Sequence, residues 1–235
     1  MKNIAWMFAA ALLTGSVAAQ TPSPQDRAAA IKEAVAKNQA SLKQYTWVET
    51  TEISLKGEVK KKDQKQCAYG ADGKVQKTPI PGATPAPAPP AQQSGGRRGG
   101  RAKQAIVENK VEDLKDYMEK VAALVQEYVP PAPDKIQAAQ AAGTISALPS
   151  GGIAIANYLK SDDLVSIGFD MAAKKILTYK VNSYVEKPKE DDVTLSVTFG
   201  RLPDGTSYPQ ETALTAAAKD LKVKVTNSGY KKAGS

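Results

Sequence analysis

Residues 193–216 read VTLSVTFGRLPDGTSYPQETALTA, and this stretch decides the fold. Val193, Leu195, Val197 and Phe199 alternate with Thr194, Ser196 and Thr198. A period of two places the apolar residues on one face of a strand and the hydroxyls on the other. Pro203-Asp204-Gly205 then turns the chain, because proline presets one turn dihedral and glycine accepts a positive φ. Gln210 to Ala216 returns. One-sided strands joined by a tight turn are the building unit of an antiparallel sheet.

The pattern continues outward on both sides. Upstream lie Ile153, Ile155 and Leu159, then Val165, Ile167 and Phe169, a turn over 170–174, and Leu177, Tyr179, Val181 and Val185. Downstream lie Leu221, Val223 and Val225. Near the N-terminus Trp47, Thr51, Ile53 and Leu55 share one face of a strand. Lys56-Gly57-Glu58 turns it into a charged return strand, Val59 to Tyr69, and a second turn at Asp72-Gly73 leads into Lys74 to Thr78. About nine strands are predicted in all.

Helices occupy the rest. Ala28, Ile31, Val35 and Leu42 recur at helical spacing within 25–45, behind Pro24. The longest helix is predicted from Lys103 to Val129. Its apolar residues Val107, Val111, Leu114, Met118, Val121, Val125 and Tyr128 form a heptad-like seam, which Ile106, Tyr117 and Leu124 widen. The wider face suits packing on a sheet; a narrower seam would pair two copies of the chain. Pro130, Pro131 and Pro133 end it, and Asp134 is predicted to cap a short helix through Ala142. Between strands and long helix, residues 79–102 hold many prolines and glycines and no core residue, so they read as a disordered insertion.

Composition removes much chemistry. The chain of 235 residues has no histidine and one cysteine, Cys67. A histidine-dependent triad, a cysteine–histidine zinc site and an intramolecular disulfide are therefore impossible. Asp162-Asp163 and Asp191-Asp192 stand beside turns, where adjacent carboxylates point apart and read as solvated. No catalytic residue, metal site or cofactor is predicted, and the chain reads as a non-enzyme. GGRRGGR resembles an RNA-binding tract, but no aromatic residue interleaves its arginines, so no nucleic-acid partner is predicted. Lys60-Lys61-Lys62 reads as edge protection, with an anionic membrane or cell-wall surface as the functional alternative.

The first nineteen residues, MKNIAWMFAAALLTGSVAA, read as a secretory signal peptide cleaved after Ala19. Only Lys2 is lost with them, so the net charge of +8 becomes +7. The expected location is the periplasm, and Cys67 is expected to be a buried, inert thiol in a strand.

The fold class predicted is α+β: a curved antiparallel sheet, an open half-barrel, covered by two or three helices. Residues 25–230 form one domain around the insertion. The face to be covered carries Trp47, Ile53, Leu55, Val165, Ile167, Phe169, Leu177, Tyr179, Val181, Leu195, Val197, Phe199 and Val223. Helices rich in small alanines (Ala122, Ala123, Ala138, Ala139) either fill the hollow or leave an apolar pocket.

The order of parts resembles the Lol-type outer-membrane lipoprotein carriers (LolA/LolB) and their lipid-binding relatives. The residues that carry the likeness are Tyr45-Thr-Trp-Val-Glu-Thr-Thr51, the turn and strand from Asp170 to Ile176, and Phe199 to Pro209. The resemblance implies a periplasmic half-barrel whose apolar face takes acyl chains under a helical lid, here Val107, Val111, Leu114, Met118, Val121 and Val125. It implies a hydrophobic ligand or lipidated protein as partner; the chain itself is expected to be a monomer. In that family an arginine on an early strand latches the lid; the early strands here hold none. The alternative is an envelope scaffold with a filled core, using the basic insertion and the long helix.

Overall fold

The computed structural model describes residues 21–80, 100–129 and 131–233, with side chains undescribed over 100–111. The predicted signal peptide and most of the predicted insertion lie outside these residues. The described chain is α+β: an open antiparallel sheet of 10 strands with three helices. In chain order the elements are α1 (Pro24–Leu42), β1 (Tyr45–Leu55), β2 (Glu58–Tyr69), β3 (Val75–Pro79), α2 (Gly100–Tyr128), α3 (Pro133–Ala141), β4 (Ile145–Ala147), β5 (Ile153–Ala156), β6 (Leu164–Asp170), β7 (Lys175–Tyr184), β8 (Asp192–Arg201), β9 (Ser207–Ala216) and β10 (Leu221–Lys232).

The strand order is β3-β2-β1-β10-β9-β8-β7-β6-β5-β4. Two meanders, one from each half of the chain, are thus zipped together by β1 and β10, which pair from Tyr45↔Lys232 to Leu55↔Leu221. The hairpins follow the local chemistry. Lys56 and Gly57 both have positive φ, as a two-residue turn of this hand requires. At the β8–β9 turn Gly205 donates to the Leu202 carbonyl at 2.9 Å.

Several boundaries differ from the sequence expectation. β4 is a strand of three residues, too short for a period of two to register. Pro79 ends β3, an edge strand, where a residue without N–H costs no ladder bond. The backbone of α2 starts at Gly100, earlier than Lys103. α1 stops at Leu42 because Tyr45 already pairs with β10. It begins with a reciprocal cap, in which Ser23 accepts from the Asp26 amide and Asp26 from the Ser23 amide. Asp134 does not cap α3. It sits in the first turn, Pro133 occupies the start, and Ala132 is the capping position.

The core lies between the sheet and the helices. α1 packs against β4, β5, β7, β9 and α3. Ala28, Ile31 and Val35 on α1 meet Ile153, Ile155, Val165, Ile167 and Phe169, all nearly sealed from solvent. Each such aliphatic side chain contributes about 1.5–3 kcal/mol on burial. Arg27 fastens the same helix: its guanidinium donates to the carbonyls of Pro22, Leu148 and Gly152.

Leu177 is the clearest departure. It is 43% exposed, whereas Tyr179 and Val181 are buried. Gly168 pairs with Thr178 but Phe169 pairs with Ile176, so Leu177 is an extra residue in β7. This bulge switches the alternation, and Ile176 takes the inward place instead.

Candidate functional site

The face predicted to line a cavity is covered by the helices. Val165, Ile167, Phe169, Tyr179, Val181, Leu195 and Val197 are buried in one core, with Ile53, Leu55, Phe199 and Val223 packed half-buried against it. Leu177 faces solvent and leaves the set. Trp47 is buried in a second group. Its ring stacks on Tyr230 at 5.5 Å and leans on Tyr69, and its Nε1 donates to Asn227 Oδ1 at 3.1 Å. The ring sits where the β1–β10 register slips, between Thr46 and Val48, and so fills the seam between the two halves. Cys67 is sealed beside Trp47 on β2, and burial pushes its thiol up, which keeps it protonated and unreactive.

The predicted lid divides along its length. The side chains of Val107 and Val111 lie outside the described residues. Val121 is buried, and Leu114, Met118 and Val125 are half-buried. Leu124, Val125 and Tyr128 of α2 lie over Val181, Ser183, Val193 and Leu195 of β7 and β8, around a void of about 10 Å³. That is room for about one water, in a wall that is almost wholly apolar.

Beside this void lies a buried polar network. Asp163 is 2% exposed, so this half of the Asp162-Asp163 pair is not solvated as its turn position suggested. The carboxylate accepts from the backbone amides of Tyr158, Leu159 and Lys160 at 2.5–3.1 Å. It also accepts from the Tyr128 hydroxyl at 2.5 Å, and Ser183 Oγ stands 2.8 Å from that same oxygen. Burial, reinforced by the bond to Asp163, pushes the Tyr128 phenol well above the ordinary tyrosine range. Tyr179 donates to the Tyr128 carbonyl at 2.6 Å, and Ala132 donates to the Tyr158 hydroxyl at 2.9 Å. The last residue of α2 is therefore held by both side chain and backbone. Nothing in the sequence marked Asp163, because an Asp-Asp pair after Lys-Ser reads like any surface turn; only the fold turns the loop inward.

Farther up α2, Val121 is buried in the core, and the polar attachments are exposed. Lys120 pairs with Glu186 across an exposed gap. The Tyr117 hydroxyl and Asp191 Oδ1 are both buried without a hydrogen-bond partner, and Asp191 is among the causes that push Tyr117 up, after burial.

A second concavity, of about 550 Å³, lies at the β7–β8 end of the sheet, where Asp162, Asn182, Ser183, Lys189, Asp192 and Thr194 are among its lining residues, with Tyr184 and Pro188. Among the described residues no group of three or more potential ligands is placed to hold a metal ion. No described helix is long and apolar enough to cross a membrane.

Comparison with protein-family models, with curated proteins and with solved structures finds no match.

Proposed function

We propose that this chain is an exported, non-enzymatic binding protein that shelters a lipid or acyl chain between α2 and the helix-covered face of the sheet, as its likeness to the Lol-type carriers implies. The supporting observation is the uneven attachment of α2. Its C-terminal residue Tyr128 is pinned by the bonds to Asp163 and Tyr179. Upstream, the one ion pair that joins described α2 residues to the sheet side is Lys120–Glu186, in which both side chains are more than half exposed. Such a pair contributes less than about 1 kcal/mol. In this reading the helix pivots at Tyr128, drawing Val121 out of the core and baring Leu124, Val125, Val181, Val193 and Leu195 as one apolar trough. A void of about 10 Å³ is already present there.

The size of that void supports the second reading, a filled core in an envelope interaction protein. One experiment separates the two. The protein is purified from its own cells without detergent and weighed by native mass spectrometry, then titrated with the uncharged dye N-phenyl-1-naphthylamine. The carrier reading expects bound lipid or a saturable rise in fluorescence, abolished by Leu124→Trp, which fills the trough without disturbing the sheet. A bare mass and a dye that stays dark leave the filled core standing.

A further inference from the structure

Charge is divided unevenly between the two wings of the sheet. β3, β2, β1 and β10 lie side by side at one end of the strand order. With their turns they span residues 43–79 and 220–233, which hold 12 lysines against 6 carboxylates, a net of +6. Residues 21–42 and 100–219 hold 17 basic against 18 acidic residues, a net of −1. Most of the formal charge of +8 therefore stands on four strands. The helices pack over the other wing, α1 against β4, β5, β7 and β9 and α2 over β7 and β8. All five residues of β3 are exposed. Lys60, Lys61, Lys62, Lys77, Lys224 and Lys232 each pair with a carboxylate. Lys43, Lys56, Lys65, Lys74, Lys222 and Lys231 pair with none among the described residues.

Three of these unpaired lysines gather at one end of the wing. Lys43 lies in the turn into β1, and its Nζ stands 3.3 Å from where a β-carbon on Gly73 would be, beside Lys74 in the β2–β3 turn. Lys231 pairs with Thr46 across β1 and β10. Asp72 and Asp204 share this end, but Asp204 is taken by Tyr45 and Lys232, and Asp72 accepts from the Lys74 amide. Tyr69 and Tyr230 are half-buried against Trp47, and the Tyr208 ring lies 4.4 Å from that of Tyr230. Phenol rings with an apolar body and a polar tip, set among lysines, suit the level of lipid headgroups. We propose that this end of the wing docks on an anionic phospholipid surface, with Lys43, Lys74 and Lys231 against the phosphates. Each lysine near such a surface adds an attraction that fades within a screening length, and the weakly negative remainder of the chain is turned away. The docking does not depend on α2 acting as a lid, since a filled core docks equally well.

The test is co-sedimentation of the protein, purified from its own cells, with vesicles of phosphatidylcholine alone and of equal parts phosphatidylcholine and phosphatidylglycerol. In about 0.1 M salt the mixed vesicles are expected to bind at least about tenfold more tightly than the neutral ones. That preference is expected to vanish in about 1 M salt, where the screening length falls from roughly 10 Å to 3 Å. Lys43→Gln, Lys74→Gln and Lys231→Gln together are expected to weaken binding about tenfold or more. Lys174→Gln, Lys180→Gln and Lys189→Gln remove the same charge from exposed positions on the other wing, and are expected to weaken it less than about twofold. Equal losses from the two triple variants overturn the assignment of the docking face. The salt comparison on the unaltered protein carries the test if the first variant does not fold. Equal affinity for the two kinds of vesicle, or capture by soluble heparin and by neither vesicle, overturns docking on a membrane.

Discussion

Arg27 Nη1 donates to the carbonyl of Gly152 at 3.2 Å, and Gly152 is itself a place where no side chain fits. Its φ is +94°, and a β-carbon there would stand 1.9 Å from the Ile167 carbonyl oxygen. The obstacle is backbone in the middle of the core, so it cannot rotate away. Gly152→Ala is expected to cost about 2–4 kcal/mol of unfolding free energy, read by urea denaturation. Gly57→Ala, at φ +80° with nothing within 4 Å, is expected to cost only about 1 kcal/mol. Equal effects at the two positions would show that the close approach to Ile167 is not what constrains Gly152.

The bulge in β7 makes neighbouring apolar residues unequal. Leu177→Thr is expected to change stability by less than about 0.5 kcal/mol, because the side chain already meets water. Ile167→Ala, at a position sealed from solvent, is expected to cost about 2–5 kcal/mol. Thermal midpoints of the two variants check the ranking, and a large loss at Leu177 would place it inside after all.

Tyr128→Phe removes one donor from a buried carboxylate and leaves the rest of the side chain in place. The expected loss is about 1–3 kcal/mol. Amide hydrogen exchange should quicken over Val121 to Tyr128, where the helix is tied to the sheet, and stay unchanged in α1. Uniform quickening across both helices would mean that the bond supports the whole fold and not the helix end.

The Tyr45 hydroxyl donates to Asp204 at 2.5 Å, and this bond, with help from the Thr206 amide, holds the Asp204 carboxyl down at about 2. A carboxylate whose folded value lies below its unfolded 3.8 stabilises the native state above that pH. The contribution fades as the solution is acidified from pH 4 toward 2. Carboxyl carbon chemical shifts should give Asp204 a midpoint of about 2, moved toward 3.8 by Tyr45→Phe.

Alkaline pH acts in the opposite sense. Burial pushes Tyr128, Tyr179 and Tyr230 above their usual value of 10.0. Their contribution to stability is complete below pH 10 and is lost as pH rises beyond it. Tyrosinate absorbance for these residues is expected to appear only as the protein unfolds. Reversible titration of all nine tyrosines near pH 10 in the folded state would contradict their burial.

Local chemistry alone specified most of the elements. A period of two needs only neighbouring residues, so β8, β9 and the hairpin at Pro203-Asp204-Gly205 were legible from 193–216. Helical spacing did the same for α1 and α2, because solvent and core impose their pattern along a single segment. The α+β class followed, since one-sided strands and one-sided helices must cover each other.

The joining of β1 to β10, by contrast, depends on residues about 180 positions apart, and no local period encodes which strand edges meet. The inward turn of Asp163 and the outward turn of Leu177 depend on a loop packing and on one extra residue, neither of which alters composition. How much of the alanine-rich cover sinks into the sheet face is likewise a matter of three-dimensional fit. Burial is decided by everything around a residue, whereas sequence pattern reports only the residues beside it.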